Sequence, residues 1–422
     1  MSRTGNWRGY LTVYAGRGAG VALGLVLTVV SARALQPAGR GEYATVVAGL
    51  VLGVQLLNCG LSSSLVLLFS QRPARLRRSV RRLWLLALGW LVVLAAAGSV
   101  SALAGLPEHY PLLRWWPLWC AWIPLQLLGL HQSAALTAER QFGLLTSLET
   151  GGRIAAVVLG LAAVGLFGGR VGPLLIALMC ADLLVALAGA WLVVRHEPGE
   201  TVSEPATVFF RSAFQLGVRA FPLLFLVYVV VRSDILILRA ARGAVETGIY
   251  SIAAQFVDLG MMLPATVAAF MIPELVREMR GADFILKQVR RVLLYASILS
   301  VLAVVIGSPV IRIVFGEAYR GSYPALVILL PGFVALSLQS VLAQYFNAQG
   351  FPLFLAGYWG LAAVVNVGLN LALVPRFGMY AAAAASSLAY SLALFLTARR
   401  FRKETAFSWR DLLFGPGAVK AA

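Results

Sequence analysis

Long apolar runs recur along the whole chain, separated only by short segments that carry charge, glycine or proline. A helix needs about 20 apolar residues to cross a hydrocarbon core roughly 30 Å thick, and each run reaches that length. The runs are continuously apolar and do not alternate with polar residues, so they predict helices and not the strands of a membrane barrel. The chain is 60% hydrophobic and 12% charged, far from the composition of a soluble domain. The sequence therefore predicts an all-α, multi-pass membrane protein.

We count twelve predicted spans, six in each half. Their ranges are 10–34, 43–69, 83–105, 115–137, 143–167 and 171–194, then 212–238, 248–275, 290–314, 325–346, 352–374 and 378–398. An even number places both termini on one side, and the excess of Lys and Arg in the loops there makes that side cytoplasmic. The predicted domains are an N-terminal six-helix lobe, a cytoplasmic linker, a C-terminal six-helix lobe and a cytoplasmic tail, over residues 1–194, 195–211, 212–398 and 399–422.

Polar and glycine punctuation repeats between the two halves. The segment from Arg33 to Tyr43 is matched by Arg239 to Tyr250, and Phe167-Gly168 by Phe377-Gly378, so the offset is 207 to 210 residues. Apolar runs align easily by chance, but such punctuation at a nearly constant offset does not. Two homologous halves of six spans predict parallel repeats. In transporters of that architecture, two lobes rock to expose a central site to each side in turn.

Several classes of function are not expected for this chain. The net charge of +18 is explained by membrane topology, and nothing resembling a nucleic-acid reading module accompanies it. Cys59, Cys120 and Cys180 lie within predicted spans at spacings that fit neither a disulfide framework nor a zinc site. The loops are short and contain no phosphate-binding loop. We therefore expect no metal, no cofactor, no nucleic-acid partner and no enzymatic activity.

Ionisable residues inside the predicted spans are the sharpest functional evidence, since a charge at the bilayer centre costs roughly 2.5 to 3.5 kcal/mol even on the lenient insertion scale. They are Arg17, Glu149, Arg153, Asp182, Arg219, Arg232, Asp234 and Asp258. Arg17 and Arg219 stand near the inner ends of spans 1 and 7, at nearly equivalent positions of the repeat. They form either a paired anion clamp, for which the planar guanidinium suits phosphate, or two side chains that snorkel to the interface.

Glu149 and Arg153 have i, i+4 spacing with the acid first, which favours an intrahelical ion pair. The competing interpretation is that Glu149 exchanges a proton or cation while Arg153 binds an anionic substrate. Span 11 contains no equivalent pair and offers Asn366 and Asn370 instead.

Two aspartates lie near the middle of spans without an obvious charged neighbour in sequence. Asp182 in span 6 and Asp258 in span 8 are each either a coupling-ion site or a structural, hydrogen-bonded carboxyl. Arg232 and Asp234, near the outer end of span 7, are expected to be interfacial.

The punctuation resembles a known family, the polysaccharide flippases of the multidrug/oligosaccharidyl-lipid/polysaccharide exporter superfamily. The similarity runs over nearly the whole chain, and its most specific pieces are residues 32–43, 234–250, 315–319, 347–350 and 366–378. Gln36 stands where that family more often has glycine. The resemblance implies the fold more strongly than the cargo.

The resemblance implies a flippase in the bacterial inner membrane that moves a glycan on polyprenyl pyrophosphate to the outer leaflet. This function assigns the pyrophosphate to a basic cavity with Arg17, Arg219 and Arg153, and coupling or gating to Glu149, Asp182, Asp258, Asn366 and Asn370. The expected partners are the lipid-linked glycan, membrane lipids, and a glycan polymerase or glycosyltransferases of O-antigen or exopolysaccharide synthesis. The alternatives are a cation-coupled multidrug antiporter of the same superfamily and a non-transporting scaffold for glycan-assembly enzymes.

Overall fold

The protein is described here by a computed structural model. It describes residues 7–71, 89–100, 114–138, 141–195, 206–277 and 281–405. Every regular element in these ranges is a helix, so the all-α prediction is confirmed. Seven helical stretches within them are long and apolar enough to cross a membrane. The protein is thus a multi-pass membrane protein, and the count of twelve spans with cytoplasmic termini stays a prediction.

Eleven α-helices cover the described ranges. They are α1 (Trp7–Asn58), α2 (Leu61–Gln71), α3 (Gly89–Val100), α4 (Trp116–Ala138), α5 (Phe142–Phe167), α6 (Val171–Arg195), α7 (Ala206–Gly260), α8 (Met262–Arg277), α9 (Ala282–Val310), α10 (Ser322–Asn347) and α11 (Leu353–Thr405). A π-helical turn, Ile311–Phe315, and a 3-10 turn, Glu317–Tyr319, connect α9 to α10.

Three of the helices are interrupted by one non-helical residue each. These residues are Gln36 in α1 (φ 54°, ψ 171°), Gly243 in α7 (φ 83°, ψ −177°) and Gly378 in α11 (φ 60°, ψ −143°). Gly168, which ends α5, has a similar conformation (φ 68°, ψ −164°). Gln36 and Gly243 are 207 residues apart and Gly168 and Gly378 are 210 apart. The sequence repeat is therefore also a repeat of backbone breaks.

The described chain groups into two compact units. Unit 1 comprises residues up to Leu35 together with Val46–Phe225, and unit 2 comprises Gln36–Thr45 together with the residues from Leu226 onward. The first segment of α7 therefore packs in unit 1, whereas the short segment 36–45 from the first half of the sequence packs in unit 2.

Each unit has its own apolar core. In unit 1, Leu65 of α2, Ala135 of α4, Leu145 of α5 and Ala213 of α7 form one buried cluster. Small residues let these helices approach closely, which drives helix association where no water is present.

In unit 2, α10 is the central helix, with 72% of its apolar window buried. It crosses α11 where Gly332 lies against Ser387, whose hydroxyl donates to the Ile328 carbonyl at 2.7 Å. By contrast, α9 exposes Leu294 and Val301, each more than 60% exposed, on an apolar stripe. Such a stripe on a membrane helix faces lipid.

Candidate functional site

The predicted arginine clamp is described only in part. The backbone of Arg17 lies in α1, and its side chain lies outside the described residues. Arg219 has an exposed side chain on the first segment of α7, and the exposed Arg211 and Gln215 lie one and two turns before it on the same face. No carboxylate among the described residues forms an ion pair with Arg219. The clamp itself therefore stays a prediction.

Arg153 joins α5 to α1. Its Nη1 donates to the carbonyl oxygen of Gly20 at 2.8 Å, and its side chain covers the Cα of that glycine. One turn earlier the Thr150 hydroxyl reaches the Gly16 carbonyl at 3.4 Å. The glycine face of α1 thus accommodates the polar face of α5, and this contact fixes the guanidinium beside the backbone of helix 1.

Glu149 has an exposed side chain. The intrahelical pair of Glu149 with Arg153 is not among the ion pairs between described residues. The sequence alternatives for Glu149 therefore narrow to an exposed carboxylate, which either meets a mobile cation or is solvated.

Asp182 is held by two neutral donors. The indole Nε1 of Trp122 donates to its Oδ2 at 2.6 Å, and the side-chain Nε2 of Gln126 donates to the same oxygen at 2.5 Å. Trp122 and Gln126 are one turn apart on α4, and Asp182 faces them from α6. Hydrogen bonds to the charged form favour an ionised carboxylate. Among the described residues no basic side chain pairs with it.

Asp258 has a partner that the sequence did not indicate. Its Oδ2 lies 2.9 Å from Nη1 of Arg232, with side chains 31% and 20% exposed. The two residues are 26 positions apart and lie on opposite sides of the break at Gly243. The expectation of an aspartate without a charged neighbour is therefore wrong.

Asp234 is also placed differently from its expected interfacial position. Its side chain is buried, with 3% exposure. The Tyr250 hydroxyl donates to Oδ2 at 2.5 Å, the Ser386 hydroxyl donates to the same oxygen at 3.1 Å, and the backbone N–H of Ile235 donates to Oδ1 at 2.7 Å. Tyr250 reaches Asp234 across the same break at Gly243. Two polar contacts thus fix the angle between the two segments of α7.

The two asparagines predicted in span 11 join this cluster. Nδ2 of Asn366 donates to the Ser386 hydroxyl at 3.3 Å, and its Oδ1 accepts from the Asn370 side chain at 3.2 Å. Both asparagines are fully buried, and Oδ1 of Asn370 has no hydrogen-bond partner. We call Asp234, Tyr250, Ser386, Asn366 and Asn370 the Asp234 network.

The Asp234 network concentrates acceptor oxygens in the interior of unit 2. A buried carboxylate with only neutral donors in direct contact, beside an amide oxygen that lacks a donor, is an arrangement that gains from a bound proton or cation. No group of three His, Cys, Asp or Glu that would hold a metal occurs within the described ranges.

Sequence reasoning missed Asp234 and Tyr250 as interior residues. A signal was available, because both bound the second copy of the repeated segment, whereas the first copy ends in Tyr43 without an aspartate 16 residues before it. A polar residue present in only one copy of a membrane repeat indicates a specialised position.

Solved structures share this fold. The lipid II flippase MurJ in an inward closed conformation has 14% identity and a TM-score of 0.75, covering 95% of this chain and 89% of that one. An inward-facing multidrug resistance MATE family transporter of the MOP superfamily has 14% identity and a TM-score of 0.69, covering 92% and 94%. A MOP superfamily transporter from Pyrococcus furiosus, reported to have a binding pocket of reverse polarity, has 13% identity and a TM-score of 0.64, covering 95% of each chain.

The fold is therefore that of MOP-type transporters. No curated protein matches the chain. The family described as "Polysaccharide biosynthesis protein" matches residues 30–324, well over half of the 422 residues. The family predicted from the motifs is confirmed, and the chain belongs to the polysaccharide biosynthesis protein family.

Proposed function

We propose that this protein is a flippase that moves a glycan linked to polyprenyl pyrophosphate from the cytoplasmic to the outer leaflet of the bacterial inner membrane. It works by alternating access of two six-helix lobes, with twelve spans and both termini in the cytoplasm. The glycan belongs to a surface polysaccharide such as an O-antigen or exopolysaccharide. A glycan polymerase and glycosyltransferases are its expected partners.

One observation carries the choice of an anionic substrate. Arg219 presents an exposed guanidinium on an apolar helix, with no ion pair among the described residues. A free cation at this depth is costly unless it meets water or an anion. A pyrophosphate is a suitable anion because the planar guanidinium donates two hydrogen bonds to phosphate oxygens at once. Arg17 and Arg153, both in unit 1, complete the proposed basic site.

Coupling is assigned to the interior carboxylates. In unit 1, Asp182 is the site held by neutral donors, and Glu149 is the exposed carboxylate beside the substrate arginines. In unit 2, Asn366 and Asn370 act with Asp234, and Asp258 gates through its pair with Arg232. Proton or cation binding at these groups changes the charge that the helices must hold inside the bilayer.

The multidrug antiporter is the less favoured alternative. A cationic drug would need an acidic or aromatic site, whereas the exposed polar face of α7 is basic, and family membership supports polysaccharide biosynthesis. A strain that lacks this protein separates the two functions. Loss of surface glycan with unchanged drug susceptibility supports the flippase, and the reverse result supports the antiporter.

The decisive experiment changes the proposed pyrophosphate site. We expect the double variant Arg17→Ala, Arg219→Ala to reach the membrane in normal amounts and to lose export, with lipid-linked glycan accumulating in the inner leaflet. The matched control is Arg320→Ala, because Arg320 is an exposed arginine in the turn before α10. Full export by the double variant would reject the clamp and support the scaffold. Export by Arg219→Lys at a reduced rate would separate charge from bidentate geometry.

A further inference from the structure

We propose that the crossing of Gly41 with Gly248 is a clasp that must separate in each transport cycle. This inference rests on the proposed function, since it assigns to one contact the step that opens the outer side. The clasp consists of segment 36–45 and the start of the second segment of α7, from Ala244 to Ser251. Predicted topology places both at the outer surface.

The contact is reciprocal and needs glycine on both sides. A methyl group on Gly41 would collide with the carbonyl oxygen of Ala244, and one on Gly248 would collide with that of Pro37. The same added atoms would lie 2.8 Å from the backbone nitrogen of Gly248 and 2.9 Å from that of Gly41. Gly41 and Gly248, like Pro37 and Ala244, are 207 residues apart, so the two copies of the repeat meet each other at equivalent positions. Backbone contacts of this kind are individually weak.

One asymmetric polar contact closes the crossing. Arg40 is 2% exposed; its Nε donates to the Ser251 hydroxyl at 3.3 Å, and its guanidinium lies 4.7 Å from the ring centroid of Tyr43. At the equivalent positions of the repeat stand Thr247 and Ala44. The Thr247 hydroxyl donates within its own helix, to the Gly243 carbonyl at 2.8 Å. The arginine contact is thus formed once per chain.

The two sides of the clasp are held very differently. The second segment of α7 is fixed to the rest of unit 2, because the Ser322 hydroxyl donates to the Ile249 carbonyl at 2.6 Å and the Met379 N–H donates to the Glu246 carboxylate at 2.7 Å. Segment 36–45 is a short excursion of the chain, which returns to unit 1 at Val46. Segment 36–45 is therefore the side that leaves, and the break at Gln36 provides a place for the chain to bend.

A reversible crosslink tests the clasp. In a background with Cys59, Cys120 and Cys180 replaced by serine, the variant Arg40→Cys, Ser251→Cys is joined with a short bis-methanethiosulfonate. We expect export from proteoliposomes loaded with a polyprenyl-pyrophosphate oligosaccharide to fall at least tenfold and to return after reduction. The control pair, Ile249→Cys with Ser322→Cys, joins two parts that are already fixed, so its crosslink should leave export unchanged.

Labelling provides a second measurement that does not need Arg40 to be changed. Ala44→Cys introduces a small thiol at the position equivalent to Ser251, where the side chain is buried in the clasp. An impermeant maleimide added from outside should label it several-fold faster during transport than without substrate. Transport by the crosslinked variant, or no labelling of Ala44→Cys during active transport, would show that the crossing is a permanent joint. Absence of transport by the unmodified protein would instead reject the proposed function.

Discussion

Removal of the Tyr250 hydroxyl isolates one contact of the Asp234 network. The substitution Tyr250→Phe deletes an O–H that donates at 2.5 Å to the Oδ2 of Asp234, where both side chains are buried. Phenylalanine keeps the ring and its packing. The expected loss is therefore that of a hydrogen bond to a charged group, about 1.5 to 3 kcal/mol.

The magnitude is set by what remains for the carboxylate. Ser386 and the Ile235 N–H still donate to Asp234, so the charge keeps two of its three donors. The loss should stay within the range for one charged hydrogen bond and not approach the larger cost of an unpaired buried ion. Because Tyr250 and Asp234 lie on opposite sides of the break at Gly243, the substitution should also loosen the angle of α7.

Tyr323 supplies the matched control. Its hydroxyl donates to the neutral Val304 carbonyl at 2.8 Å in an exposed setting, and neutral hydrogen bonds in membrane proteins average about 0.6 kcal/mol. Unfolding of the micellar protein with increasing sodium dodecyl sulfate, followed by circular dichroism, gives the free energy for each variant. Tyr250→Phe should cost at least about 1 kcal/mol more than Tyr323→Phe. In an Asp234→Asn background the difference should shrink, because the acceptor is then neutral. Equal costs for the two tyrosines would refute a charged acceptor at Asp234.

Three further outcomes are expected. Gln36→Gly should stabilise the protein by about 1 kcal/mol in the same unfolding assay, because it removes a non-glycine residue from a positive-φ conformation, and Gly243→Gln should destabilise it by a similar amount. Asp258→Asn should cost about 1.5 to 3 kcal/mol by leaving Arg232 without its acceptor, and a double variant that also replaces Arg232 should cost less than the sum of the two single losses. Asp182→Asn should leave membrane abundance unchanged and reduce export, measured as surface glycan, and full export would exclude coupling at this site.

Helix limits were predictable because the bilayer fixes them. The predicted spans 143–167, 171–194 and 325–346 match α5, α6 and α10 to within a few residues, since an apolar run can end only where polar residues reach the interface. The breaks in the long helices were predictable for a related reason. The repeated punctuation at Gln36 and Gly243 gave their positions, although not the backbone conformation.

Partners across the fold were not predictable from the same information. Arg232 and Asp258 are 26 residues apart, and no helical periodicity relates them because the helix breaks between them. Their encounter depends on the angle at Gly243. Similarly, depth within a predicted span says nothing about which way Asp234 points, and its burial follows from Ser386, which is 152 residues further along the chain.

The equivalent tyrosines show how the repeat divides its roles. Tyr43 and Tyr250 occupy the same position of the two copies, yet the first lies beneath the guanidinium of Arg40 and the second donates to Asp234. The glycine crossing and the helix breaks are shared by both copies, so they belong to the fold. Arg40 and Asp234 have no counterpart in the other copy, and each is a buried charge whose cost the fold alone does not require. Because Tyr250 lies two residues after Gly248, a change in the charge of Asp234 acts on the helix segment that forms the clasp. The departures from symmetry therefore place the coupling group next to the contact that has to open.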